Sequence, residues 1–195
     1  MRVLLVAEGK HERAKEDRDG ALETLVRRLH RGICQCDLDR VSRNDIHAHH
    51  GKGQGYFKKA LRWMLHAKEL GYDAIVLVID QDNVLKRVQE ITDAQNDQRV
   101  TLRRALGVAI RTFDAWMLAD ERALTRVLGY AVSTQRSPEE MSDAKGVCAQ
   151  LLGNSPTAMS QSECYAAVAR EADLCTLERQ CAKGFAPFAQ RVRSL

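Results

Sequence analysis

Acidic residues follow two short aliphatic segments in a pattern that could bind a divalent metal ion. Residues 3–7 (VLLVA) lead into Glu8, and residues 74–79 (AIVLVI) lead into Asp80 and Asp82. A short aliphatic run bounded by polar residues is typical of a buried strand in a parallel sheet. Such sheets carry their functional groups at the carboxyl ends of the strands, so we expect the three carboxylates at one edge. Carboxylate oxygens are the ligands that Mg²⁺ and Mn²⁺ prefer.

The D-x-D pair has two interpretations. Side chains alternate along a strand, so Asp80 and Asp82 would point to the same side and could share a metal ion. Alternatively, both residues end the strand as turn formers and cap the following helix. The six aliphatic residues that precede the pair favour the metal-binding interpretation.

Hydrophobic periodicity predicts the elements that must position these acids. Helical spacing of apolar residues is found around residues 22–29 and 57–65, and a second strand is expected at residues 41–47. The resulting β-α-β-α-β order, with the segment at residues 41–47 as its middle strand, implies a parallel sheet with helical crossovers. Beyond Asp82 the patterns predict a helix over residues 84–94, a strand over 106–110, and helices over 114–120, 144–152, 162–177 and 185–192.

The length and composition are those of a chain that can build a substantial core. Hydrophobic residues make up 45% of the 195 positions. We expect an α/β fold, with a parallel sheet flanked by helices, over residues 1–125. Residues 126–195 are expected to form an α-helical C-terminal lobe, because only helical patterns follow the change in composition after Gly129.

Charge and hydropathy limit the function classes without selecting one. The 30 basic and 26 acidic residues give a net charge of +4, which neither requires nor excludes a nucleic-acid partner. No export signal and no apolar run long enough for a membrane span is found, so we expect a cytoplasmic protein with no membrane partner. Disulfides are then not expected, and four cysteines in helical segments are expected in the core: Cys148, Cys164, Cys175 and Cys181.

The two acid-tipped segments resemble the signature of the Toprim domain. Residues 3–9 (VLLVAEG) and 78–82 (VIDQD) match its pattern of a Glu after the first strand and a D-x-D after a later one. Over roughly its full length the chain resembles a family of small prokaryotic Toprim-like proteins. The shared motifs are EGKHE at residues 8–12, the D-x-D, DAWMLAD at residues 114–120 and CAKGFAPF at residues 181–188.

This resemblance implies a role for each acid. Glu8 would be the acid or general base near the scissile phosphate, and Asp80 and Asp82 would hold Mg²⁺ or Mn²⁺. Glu12 lies one helical turn from Glu8 and could face the same site. Asp114 stands where the family commonly has Glu, so it is either a further metal ligand or the cap of its own helix.

Several residues that could bind phosphate or a metal ion could instead have ordinary surface or linker roles. Lys10 could contact phosphate or lie in solvent. Lys52, in the glycine-rich residues 51–55, belongs either to an active-site loop or to a linker. Lys145 opens a C-terminal helix and could reach phosphate or form a surface ion pair. Arginines after the D-x-D could border an anionic groove or cover a solvated face: Arg99, Arg103, Arg104 and Arg111. The spacing of Cys34 and Cys36 with His47, His49 and His50 fits no common zinc framework.

The sequence therefore predicts a Mg²⁺-dependent nuclease that hydrolyses phosphodiester bonds of DNA or RNA, which the resemblance would place in prokaryotic defence or nucleic-acid maintenance. Two alternatives stay open. The resemblance also allows a non-catalytic partner subunit of an ATPase. A nucleotidyl or phosphoryl transferase would use the same acidic site.

Overall fold

Four parallel strands form one sheet in the part of the chain that the computed structural model describes, which comprises residues 1–9, 20–33, 35–40, 55–133 and 137–195. Their order across the sheet is β2-β1-β3-β4. The two acid-tipped strands are therefore neighbours, and Val6 of β1 lies opposite Leu77 of β3. The strands are β1 (Arg2–Ala7), β2 (Gln35–Arg40), β3 (Ala74–Asp80) and β4 (Arg103–Ala109).

Helices connect the strands and make up the C-terminal part of the chain, which confirms the predicted α/β fold. Three helices lie in the crossovers: α1 (Ala21–Leu29), α2 (Tyr56–Glu69) and α3 (Lys86–Asn96). The remaining helices follow β4: α4 (Asp114–Met117), α5 (Glu121–Leu128), α6 (Ala144–Gly153), α7 (Gln161–Glu171), α8 (Leu174–Gln180) and α9 (Phe185–Arg193), with a 3₁₀ turn at Pro138–Glu140.

The strands β1, β3 and β4 are buried on both faces, because alternate residues of these strands enter different hydrophobic clusters. Leu5 and Val76 pack with α1 and the C-terminal helices. Leu4 and Ile75, one residue earlier in their strands, pack with α2 and α3. Burial on both faces explains why β1 and β3 are continuous aliphatic runs instead of alternating polar and apolar residues.

The C-terminal helices pack onto the sheet through a cluster of aromatic side chains. α9 lies against β4, and α7 lies against α1 and α5. Trp116 of α4 is fully buried and contacts Phe185 and Phe188 of α9, with ring centroids 5.2 and 5.3 Å away. The expected domain boundary after residue 125 falls inside α5.

β2 begins and ends earlier than the predicted second strand. It spans Gln35–Arg40, whereas residues 41–47 lie outside the described residues. Its sequence, QCDLDR, is that of an edge strand with charged residues, so it lacks the aliphatic run that reveals β1 and β3. The predicted β-α-β-α-β order is nevertheless confirmed.

Two predicted helices are interrupted by aspartates that cap new helices. The helix expected over residues 114–120 ends at Met117, and Asp120 accepts hydrogen bonds from Arg122 N–H and Ala123 N–H at the start of α5. The helix expected over residues 162–177 breaks into α7 and α8, where Asp173 accepts from Cys175 N–H. An aspartate at such a position satisfies backbone donors that a helix interior would not offer.

The cysteine prediction is confirmed for Cys148, Cys164 and Cys181, which are buried, and is wrong for Cys175, which is exposed. Trp63 and Trp116 are buried as well. Among the described residues, no helix combines the length and the hydrophobicity that a membrane span requires.

Gly107 of β4 provides a test of the contact between α9 and the sheet. A Cβ atom at this position would lie 2.7 Å from Cδ2 of the buried Phe188. Because Trp116 and Phe185 hold that ring, we expect Gly107→Ala to lower the free energy of unfolding by about 2 kcal/mol. Chemical denaturation would measure the change.

Gly153→Ala is the matched control, because a Cβ atom at the end of α6 would meet no neighbouring atom within 4 Å. That substitution is expected to be neutral or to stabilise the protein by up to about 1 kcal/mol. Equal stabilities of the Gly107→Ala and parent proteins would contradict the proposed packing.

Candidate functional site

Glu8 and Asp80 meet at the carboxyl ends of the adjacent strands β1 and β3, as the sequence predicts. The Asp80 N–H donates a hydrogen bond of 3.1 Å to Glu8 Oε2. The Glu8 N–H in turn donates to the carbonyl oxygen of Val78 at 3.3 Å, which continues the pairing of the two strands. Strand register therefore fixes the position of the first two acids.

Asp82 reaches the same region by a turn, and not by the strand alternation expected from the sequence. β3 ends at Asp80, and Asp82 and Asn83 then adopt left-handed backbone conformations, with φ of 49° and 61°. The Asp82 N–H donates to the carbonyl oxygen of Arg111 at 3.0 Å, so the loop after β4 holds this turn. Asp and Asn tolerate such conformations better than most residues.

The carboxyl group of Asp80 is largely shielded from solvent, and its pKa is raised to about 7. Burial is the main cause, because it disfavours the charged carboxylate. A hydrogen bond of 2.8 Å from the Phe113 N–H to Asp80 Oδ1 opposes the shift. The negative charges of Asp82, Glu8 and Asp114 raise the pKa further, which places these three acids within electrostatic reach of Asp80.

Arg87 of α3 is the central cation of the site, and the sequence analysis did not identify it. Its Nη1 donates to the carbonyl oxygen of Asp80 at 2.6 Å and to Asp82 Oδ2 at 2.8 Å, and lies 4.0 Å from Glu8 Oε2. The side chain is only 15% exposed. No sequence pattern marks this arginine, because its role depends on the packing of α3 beside the end of β3.

Tyr56, the first residue of α2, was also missed. Its hydroxyl donates a short hydrogen bond to Glu8 Oε1, and its ring lies under the Arg87 guanidinium, 4.5 Å from centroid to Cζ. Burial and the hydrogen bond to Glu8 raise the pKa of the hydroxyl. The phenol therefore remains a donor and fixes the orientation of the Glu8 carboxylate.

Asp114 is held by two side chains of α7 and does not cap its helix. Its Oδ1 accepts hydrogen bonds from the Tyr165 hydroxyl and, at 3.5 Å, from Gln161 Nε2. The Asp114 side chain makes no capping hydrogen bond at the start of α4. Residues of the C-terminal part of the chain thus reach the acidic site, a contact that no local sequence pattern predicts.

Of the remaining predicted residues, Arg111 lies beside the acids, where its carbonyl oxygen accepts a hydrogen bond from the Asp82 N–H. Lys145 lies exposed in the first turn of α6. Several predicted site residues lie outside the described part of the chain: Lys10, Glu12, Cys34, His47, His49, His50 and Lys52. Their predicted roles stay predictions.

The donor chemistry of the acids suits a hard divalent cation. Within the described ranges, no three His, Cys, Asp or Glu side chains already form a metal-binding group. One carboxylate oxygen of each aspartate, however, accepts no hydrogen bond from a described residue: Asp80 Oδ2, Asp82 Oδ1 and Asp114 Oδ2. Such oxygens are the ligands that Mg²⁺ and Mn²⁺ prefer, so the residues present fit the predicted metal.

Comparison of the chain with protein families, with curated proteins and with solved structures finds no match. The Toprim-like resemblance therefore depends on the sequence motifs alone. The geometry of the four acids and their partners is the basis for any functional conclusion.

The raised pKa of Asp80 predicts how stability depends on pH. Its native pKa of about 7 exceeds its ordinary value of 3.8, so the native chain binds a proton that the unfolded chain releases between these values. The contribution of the protonated Asp80 side chain to the free energy of unfolding is therefore present at low pH and is lost as the pH rises toward 7. Asp80→Asn removes the charge but keeps an oxygen for the Phe113 N–H. In EDTA at pH 8 we expect it to raise the free energy of unfolding by about 2 kcal/mol.

The gain should shrink toward zero as the pH is lowered to 4, which urea denaturation at pH 8, 6 and 4 would show. Asp93→Asn, which removes an exposed carboxylate from α3, is the control and should change stability by less than about 0.5 kcal/mol. A gain for Asp80→Asn that is independent of pH would contradict the electrostatic explanation.

Proposed function

We propose that this protein is a Mg²⁺- or Mn²⁺-dependent nuclease that hydrolyses phosphodiester bonds of DNA or RNA. The observation that carries the proposal is the meeting of Glu8 and Asp80 at the ends of β1 and β3, with Asp82 and Asp114 within electrostatic reach. Four acids at one sheet edge repel one another, and a cation would relieve that repulsion.

Asp80, Asp82 and Asp114 would hold the metal through the oxygens that accept no hydrogen bond from a described residue. When bound, such a metal polarises a phosphoryl oxygen and offsets the charge that develops on the leaving oxygen. Asp80 and Asp82 follow one strand, whereas Asp114 comes from the segment after β4. The metal site would therefore link the end of β3 with the segment that follows β4.

Glu8 would act as the general base. Hydrogen bonds to both of its oxygens, from the Tyr56 hydroxyl and the Asp80 N–H, fix the orientation of the carboxylate. A water molecule attacks phosphorus, transfers a proton to Glu8 and forms the new P–O bond, while the ester P–O bond breaks. The proton then returns to the leaving sugar oxygen, so the protein is regenerated.

Hydrolysis of labelled oligonucleotides tests the proposal. Single-stranded and duplex DNA and RNA would be incubated with the protein and Mg²⁺ or Mn²⁺. We expect cleavage that EDTA abolishes and that Glu8→Gln or Asp82→Asn reduces by at least about 100-fold, because each removes a general base or a metal ligand.

Asp93→Asn, which removes an acid from the same helix as Arg87 but outside the site, should retain parent activity. Cleavage by Glu8→Gln at the parent rate would overturn the assignment. Incorporation of labelled nucleotide without net hydrolysis would indicate a transferase that uses the same acids.

Tyr165→Phe tests whether α7 positions Asp114 for a metal. The substitution removes the hydroxyl that donates to Asp114 Oδ1 and keeps the buried ring. We expect the Kd for Mn²⁺, measured by calorimetry, to rise about 10-fold, as is typical when a residue that orients a ligand is removed.

Tyr130→Phe is the matched control, because its hydroxyl donates to the carbonyl oxygen of Leu151 and to none of the four acids. Its Mn²⁺ affinity should equal that of the parent. Identical affinities for Tyr165→Phe and Tyr130→Phe would show that Asp114 does not contribute to metal binding.

A further inference from the structure

Two arginines from different elements are anchored on one turn beside the acids. Arg87 Nη1 donates to Asp82 Oδ2 at 2.8 Å, and Arg111 Nη1 donates a short hydrogen bond to Asn83 Oδ1. Asp82 and Asn83 are consecutive, so one turn at the edge of the sheet anchors both guanidinium groups. Arg87 comes from α3, and Arg111 follows β4.

The backbone is strained at the turn that anchors both arginines and at Arg111 itself. Asp82, Asn83 and Arg111 have φ of 49°, 61° and 65°, and only one other non-glycine residue among the described ones, Ser137, has a positive φ. Such conformations are costly for a long side chain such as arginine and persist where the surroundings impose them. The two loops hold each other, since Asp82 N–H donates to the Arg111 carbonyl oxygen and Arg111 N–H donates to Gln81 Oε1.

Both guanidinium groups keep donors that no described residue uses. Arg87 donates only through Nη1, and its plane is fixed over the Tyr56 ring. Arg111 also donates only through Nη1, and within the described ranges it forms no ion pair with an acid. A guanidinium has five N–H donors in a planar fork, which matches two oxygens of a phosphate. Each arginine can therefore hold the turn and still bind an anion.

A polyanionic substrate needs such cations at this position. Glu8, Asp80, Asp82 and Asp114 would repel the phosphates on either side of the bond that is cut. We propose that Arg87 and Arg111 form a phosphate clamp, which binds backbone phosphates of the nucleic acid beside the acids. This inference depends on the proposed nuclease function, because it assigns the substrate-binding groups of the same site.

Binding of a labelled oligonucleotide at several salt concentrations tests the clamp. All proteins would carry Glu8→Gln, so that Mg²⁺ can be present without hydrolysis. Adding Arg87→Gln or Arg111→Gln should raise the Kd about 5- to 20-fold. Each substitution should also make the salt dependence less steep, so that the negative slope of the log association constant against log salt decreases in magnitude by about 1. Arg126→Gln is the control. This arginine pairs with Glu171, the last residue of α7, whereas Gln161 at the first residue of that helix contacts the acidic site. It should change the Kd by less than about 2-fold.

Equal effects of the three glutamine substitutions, or no effect of any, would overturn the clamp. Arg87 also offsets the buried acids, so thermal unfolding must show that each variant is folded. If Arg87→Gln is unfolded, Arg87→Lys keeps the charge but loses the fork, and it should still weaken binding at least about 3-fold. Parent-like affinity of that variant and of Arg111→Gln would also refute the clamp.

Failure of the clamp can be distinguished from failure of the nuclease function. If the parent neither cleaves nor binds any oligonucleotide, the nuclease proposal fails. Titration with pyrophosphate then decides the clamp alone: binding that Arg87→Gln and Arg111→Gln abolish and Arg126→Gln retains supports it, and any other result overturns it. If the parent cleaves but neither arginine affects binding, the nuclease proposal stands and the clamp is wrong.

Discussion

The parallel pairing of β1 with β3 is the constraint on which the site depends. The register that places Ala7 opposite Val78 brings Glu8 beside Asp80, and the Asp80 N–H bonds the Glu8 carboxylate directly. Apolar residues on both faces of these strands hold that register, because a shift by one residue would exchange the faces that α1 and α2 cover. The energy of the core therefore fixes the geometry of the acids.

Acids brought together in this way are unfavourable unless other groups compensate them. Burial and the neighbouring charges raise the pKa of Asp80 to about 7, whereas the Phe113 N–H and the Arg87 guanidinium stabilise negative charge nearby. The Tyr56 hydroxyl does the same for Glu8. The clustered acids thus lower the free energy of unfolding. Such clusters are common where a protein retains charged groups for chemistry and not for stability.

The C-terminal helices contribute both to the core and to the site. Phe185 and Phe188 pack on Trp116 against the sheet, and from α7 Tyr165 and Gln161 bond Asp114. Packing of this part of the chain and orientation of the fourth acid are therefore physically linked. A change in the packing of α7 would move Asp114 relative to the strand ends.

Sequence alone determined the aliphatic strands, most helices, and the positions of Glu8 and Asp80 at strand ends, because hydrophobic periodicity and strand ends are local properties. Asp82 is placed by a turn that the loop after β4 holds, so its position depends on the tertiary structure. The sequence did not locate β2, whose charged residues lack that pattern, nor the helix breaks at Asp120 and Asp173. Only the tertiary structure revealed three further partners of the acids: Tyr56, Arg87 and Tyr165. These lie 48, 7 and 51 residues from the groups they contact, and only the packing of helices against the sheet brings them there.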